Sequence, residues 1–132
     1  IGKANVLTQG NDIAIVATGE TVPQAFNAAK ILSKEGINAR VLDYHTIKPF
    51  DEESILKAAD ECGAILTVEE HSKFGGLGEA VAHLLIEKNP VPMKIIGFVD
   101  EALVSGNSSE LFEYYGLDSE SIANAAKELL GN

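Results

Sequence analysis

The chain has 132 residues, near the common size of one domain, and its 45% hydrophobic and 23% charged residues are ordinary globular values with no apolar run long enough to cross a bilayer as a helix. With 20 Asp and Glu against 10 Lys and Arg the net charge is −10, which repels phosphate backbones and anionic lipid, so neither nucleic acid nor membrane is an expected partner. Cys62 is the only cysteine, which rules out an internal disulfide and a cysteine-rich zinc site and suits a cytoplasmic location.

In chain order, the first residue is Ile1 rather than Met and no basic leader or apolar signal core follows, which predicts a chain that starts partway through a longer product. Ala4 to Thr8 reads as a short strand and Asp12 to Thr18 (DIAIVAT) as a strand buried on both faces. Gly10-Asn11 between them predicts a tight hairpin, which makes the first pair antiparallel and the leading strand an edge. After Gly19 the period changes to that of a helix, with Val22, Ala25, Phe26, Ala29 and Leu32 on one stripe, a capping box at Thr21 and Gln24, and Gly36 as the stop. Asn38 to Tyr44 is the next strand, and Asp51 then caps a helix carrying Ile55, Leu56, Ala59 and Cys62, ended by Gly63. Ala64 to Val68 reads as a strand, Gly78 to Lys88 as a helix with Val81, Leu84 and Leu85 inward, and Met93 to Phe98 as a last strand. Two helices close the chain, one from about Ser108 to Tyr115 and one from Asp118 through Leu129. The alternation predicts one α/β domain over residues 1–132. It is a three-layer, mostly parallel open sheet of about five strands, with an antiparallel edge strand and helices on both faces.

Ligands and partner domains meet such a sheet at the carboxyl ends of its strands, here Gly19 to Thr21, His45 to Phe50, Glu69 to Gly78 and Gly97 to Gly106. The third segment is the densest. Glu69, Glu70 and His71 stand before Gly75, Gly76 and Gly78, an arrangement that either tunes a proton-transfer imidazole and exposes helix amides to an anion, or permits a tight turn and close helix packing. Glu70, His71, Gly75, Gly76 and Gly78 are therefore the candidate functional loop, and His45, Lys48 and Ser105 are candidates for an anion or an interface. No stronger motif competes. Gly76 and Gly78 form only a G-x-G fragment, the Gly19 turn lacks the Walker lysine, Ser105-Gly106 lacks the G-x-S-x-G frame, and the three histidines share no metal-binding spacing.

Taken together, NDIAIVATGETVPQAFNAAKILSKEGINARVLDYHTIKPFDEESI, GAILTVEEHSKFGGLGEAV and PVPMKIIGFVDEALVSGNSSELFEYYGL resemble the carboxy-terminal domain of transketolases over nearly the whole chain. The most specific stretches are Asp43 to Asp51 with Ile47-Lys48-Pro49, the Glu69 to Gly78 segment, and the spaced Asp100, Ser105-Gly106, Leu111 and Gly116-Leu117. Split transketolases, whose carboxy-terminal section is a separate polypeptide, are the nearest in character. 1-deoxy-D-xylulose-5-phosphate synthase and 2-oxo acid dehydrogenase beta subunits carry similar domains.

The resemblance implies a cytoplasmic, homodimeric parent enzyme of pentose phosphate chemistry. That enzyme uses thiamine diphosphate and Mg2+ to move a two-carbon ketol unit between sugar phosphates. In that family the cofactor-binding domains precede this one, so the resemblance implies no catalytic residue, no cofactor and no activity for the domain alone, whose partners are the preceding domains or a partner subunit. Readings of another class are a non-enzymatic docking or regulatory anion-binding domain and a free-standing flavodoxin-like domain.

Overall fold

A computed structural model describes residues 3–45, 50–72, 76–98, 113 and 116–131. The apolar runs become strands β1 (Asn5–Thr8), β2 (Ile13–Ala17), β3 (Ala39–Asp43), β4 (Ile65–Ser72) and β5 (Met93–Phe98). The helical stripes become α1 (Val22–Lys34), α2 (Glu52–Cys62), α3 (Leu77–Lys88) and α4 (Ser119–Leu129), with a short 3-10 turn over Gly19–Thr21 ahead of α1. The helix expected from Ser108 to Tyr115 falls almost wholly outside the described residues.

The strands form one sheet in the order β1-β3-β2-β4-β5, parallel except for the antiparallel pair of β1 with β3. β2 is central between two parallel neighbours and completely buried. Side chains alternate along it with the period of two that a strand imposes. Ile13, Ile15 and Ala17 enter the core under α1 and α4, while Ala14 and Val16 enter the one under α2 and α3. Leu66 and Val68 of β4 join the first core and Ile65 the second, so two apolar layers sandwich the sheet.

The leading strand is an antiparallel edge, but the hairpin expected to make it so does not exist. β1 pairs with β3, because β3 and β4 already occupy both sides of β2. Gly10 and Asn11 have no positive φ, which the favoured two-residue hairpin turns require. Gly10 is needed for a different reason: a Cβ there would lie 2.5 Å from the Asn38 carbonyl oxygen. The chain crosses over the start of β3, held by Asp12 N donating to Asn38 O at 3.0 Å and Asn38 N donating to Asp12 Oδ2 at 2.7 Å. The capping box is also absent. The 3-10 turn gives Thr21 a helical backbone (φ −82°, ψ −12°) in place of the extended one a cap uses. Its Oγ1 therefore donates to Thr18 O at 2.5 Å, and Gln24 Oε1 has no partner among the described residues.

Asp51 caps α2 as expected, its Oδ1 accepting from Ser54 N at 3.1 Å, and it also ties down the first strand. Oδ2 accepts from Ala4 N at 2.8 Å and from Ser54 Oγ at 2.6 Å, and the backbone oxygen of Asp51 accepts from the buried Tyr44 hydroxyl. Burial works to raise the Asp51 pKa. The hydrogen bonds from Ser54 and Ala4, with the Lys3 charge, outweigh it and hold the carboxyl below its usual value. A folded pKa below the unfolded one means stabilisation that is complete well above pH ~4 and is lost as pH falls through the lowered value. Asp51→Ala should therefore lose about 1–2 kcal/mol at neutral pH. In urea titrations at successively lower pH the gap from wild type should narrow below pH ~4; a gap that stays constant into strong acid would contradict this account.

Candidate functional site

β4 continues through Ser72, so Glu69, Glu70 and His71 lie on the end of a strand and not in the loop that the sequence suggests. The difference matters because consecutive strand residues point to opposite faces. Glu69 falls on the α3 face and Glu70 on the α1 face, and each carboxylate meets the start of a helical element there.

Glu69 is 1% exposed. Its Oε1 accepts from Leu77 N at 3.0 Å and its Oε2 from Gly78 N at 2.8 Å, the first two amides of α3. The N-cap residue Gly76 has no side chain to offer, so the cap comes from the neighbouring strand. The helix can approach that closely only because position 78 is glycine: a Cβ there would lie 2.5 Å from Ile95 Cγ2 and 3.0 Å from Thr67 Oγ1. On the other face Glu70 Oε1 accepts from Glu20 N at 3.0 Å. Gly19 turns beneath it with φ +59°, and a Cβ on Gly19 would collide with that same oxygen.

The other candidates are placed as follows. His45 is exposed one residue past buried Tyr44, at the carboxyl edge beyond β3. His71 is on β4, and Gly76 and Gly78 open α3. Lys48, Gly75 and Ser105 lie outside the described residues. The amides that the glycine segment offered to an anion are thus paired with the chain's own Glu69. The pattern repeats at α2 with Asp51 and at α4, where Asp118 Oδ2 accepts from Ser121 N at 3.3 Å. Among the described residues no group of three or more His, Cys, Asp or Glu is placed to hold a metal ion. Sequence reasoning passed over Glu69 as an individual residue. The signal was a helix start without a capping side chain, Gly76-Leu77-Gly78, which leaves its amides to an acceptor elsewhere in the chain.

Two further features lie outside the Glu69 and Glu70 contacts. A cavity of about 380 Å³ lies between α2 and α3, lined by Phe50, Ala80 and Leu84 under a rim that includes Glu52, His83 and Lys88. At the amino edge Arg40 is buried, donating to Gly10 O at 3.1 Å, Asn11 Oδ1 at 2.7 Å and Glu61 Oε1 at 2.7 Å. Cys62 sits beside it, and burial raises its thiol pKa against the pull of Arg40, which leaves a poor nucleophile.

Residues 2–122 match the family described as Transketolase, C-terminal domain. The chain is 55% identical to one of the subunits of the apulose-4-phosphate transketolase of Phocaeicola vulgatus, over 98% of this chain and 41% of that protein. It is 48% identical to a putative transketolase C-terminal section of Methanocaldococcus jannaschii, over 97% of this chain and 40% of that protein. Among solved structures, a split gene transketolase described as an inactive beta4 tetramer superposes with a TM-score of 0.90 at 42% identity, covering 98% of this chain and 43% of that one. The chain therefore spans about two fifths of the length of these curated relatives.

The geometry separates the two adjacent glutamates by experiment. Glu69→Gln places an amide donor against backbone donors in a buried site and should lose about 2–3 kcal/mol in urea denaturation, with faster exchange of the Leu77 and Gly78 amides. Glu70→Gln, at a less buried single bond, should lose under about 1 kcal/mol. Equal losses would show that the buried cap has no special weight.

Proposed function

The chain belongs to the transketolase carboxy-terminal domain family, and from that premise we propose that it is the carboxy-terminal domain of a longer or split transketolase-type transferase. The parent enzyme moves a ketol unit between sugar phosphates, and this domain serves its assembly. The observation that carries the reading is the 55% identity along 98% of this chain to a transketolase subunit of which it covers only 41%. On this reading the parent is a cytoplasmic homodimer of pentose phosphate chemistry, and the partners of this domain are the preceding cofactor-binding domains or a partner subunit.

Thiamine diphosphate and Mg2+ would supply the carbanion chemistry in the parent. The described residues do not fit that group. They hold no metal-binding cluster, and the amides best placed for a diphosphate, at the start of α3 and in the Gly19 turn, are bonded to Glu69 and Glu70. The role left to this chain is mechanical. Its carboxyl edge is braced by internal carboxylates, which suits a surface that other domains rest on.

Calorimetric titration of the 132-residue chain with thiamine diphosphate and Mg2+ should give no heat of tight binding, and a ketose phosphate with an aldose phosphate acceptor should give no turnover until the remaining domains are supplied. Tight stoichiometric binding to the chain alone would overturn the assembly role. His71, one residue beyond Glu70, reports whether this edge also reaches the parent's active site: if it does, His71→Ala in the assembled enzyme should lower turnover with assembly intact, whereas loss of assembly would mark it as structural.

A further inference from the structure

The two outermost strands of the sheet differ in how open they are to further pairing. β1 has four residues, and its register against β3 breaks between Val6 and Thr8, an irregularity of the kind that blunts an edge. β5 ends the sheet on the other side, and among the described residues no strand pairs with its outer side. Ile65 N donates to Pro92 O at 3.0 Å, and Ile65 and Met93 are register partners. In a parallel ladder that pattern turns the backbone groups of Pro92 and Lys94 toward β4 and leaves the N–H and C=O of Met93 and Ile95 pointing away from it. Pro92 and Lys94, residue types that often block an edge, therefore leave the outward hydrogen-bonding groups of this one free of hindrance from the backbone.

The same stretch carries an apolar surface. Val91, Met93 and Ile95 lie on the α3 side of the sheet and, with Ala82, Leu85 and Ile86 of α3, line a hollow of about 320 Å³. Ile86 stands at this hollow and is 74% exposed, more than any other large hydrophobic residue among those described. Among the described residues no charged side chain lines the hollow, in a chain of net charge −10. We propose that this surface is a twofold interface between two copies of the chain, in which β5 pairs antiparallel with the second copy's β5 and each Ile86 enters the other copy's hollow. Charge favours a second copy as the occupant, because two chains of the same strong negative charge repel least where neither presents an acid. Shape favours it too, since a projecting side chain beside a hollow is complementary to itself about a twofold axis. The backbone register agrees. With the axis beside Met93, each Met93 pairs with the other through outward N–H and C=O groups and Ile95 lies opposite the second copy's Val91. Lys94 then falls opposite the second copy's Pro92, which avoids setting two like charges face to face.

The interface belongs to this chain whatever reaction its parent carries out, so sedimentation equilibrium of the 132-residue chain tests it directly. The mass should be twice the 14.0 kDa of one chain. Ile86→Glu sets a carboxylate at the hollow from an exposed position, so it should keep the circular dichroism and Tm of the wild-type chain while weakening the dimer at least about tenfold. Val6→Glu, the same change at an exposed residue of the opposite edge, should alter the dimer by less than about twofold. The register is tested in a Cys62→Ser background. There Met93→Cys should give a disulfide-linked dimer under mild oxidation, because a hydrogen-bonded antiparallel pair holds its Cα atoms about 5.5 Å apart, within reach of a disulfide. Val6→Cys in the same background should stay uncrosslinked. A monomer at about 0.1 mM, a dimer indifferent to Ile86→Glu, or cross-linking through Val6→Cys in place of Met93→Cys overturns the proposal.

Discussion

The buried carboxylate of Glu69 is the interaction on which the carboxyl half of the fold depends. A carboxylate taken out of water is strongly destabilising unless hydrogen bonds replace its hydration, and the start of an α-helix supplies both amide donors and the positive end of a dipole. Glu69 takes two such amides, and α3 in return receives the cap that Gly76 cannot provide. Neither half is viable alone, because the acid without the amides is a buried unpaired charge and the amides without the acid are buried orphans. Gly78 completes the arrangement by letting the helix lie against Thr67 and Ile95, so the Glu69 bonds and the packing of α3 on β4 and β5 form one unit.

The pleat of β4 extends this to the other side of the sheet. Because Glu70 points away from Glu69, the same strand end holds the Gly19 turn before α1, and one short stretch braces elements of both layers. With Asp51 and Asp118 at α2 and α4 and Glu69 at α3, three helices start on one of the chain's own acids. In parallel α/β folds that edge is the usual ligand site because free helix amides attract anions. Here the Glu20, Ser54, Leu77, Gly78 and Ser121 amides are satisfied from within. This is the physical basis of the assembly role proposed for this domain.

What could be read from the sequence follows from the range of the forces involved. Hydrophobic period is local, so DIAIVAT, the α2 stripe and Met93 to Phe98 each declare their element type without help from the rest of the chain, and the cap at Asp51 needs only Ser54, three residues on. Local rules failed where a distant group competes. Gly10-Asn11 has hairpin composition, but the edge it needed on β2 is taken by β3 and β4; Thr21 has capping composition, but its hydroxyl is claimed by Thr18 O.

The sequence by itself determined the alternation of strands and helices, the capping acids of α2 and α4, and through its ordered motifs the family. Only the tertiary structure decided that β1 lies against β3, that Glu69 and Glu70 serve opposite faces, and that both are engaged with backbone amides. These outcomes turn on contacts between residues 8 to 50 positions apart, whose pairing depends on which strand edges and helix ends remain free once the sheet has formed. No local pattern carries that information, since each group's partner is chosen by exclusion among all the others in the folded chain.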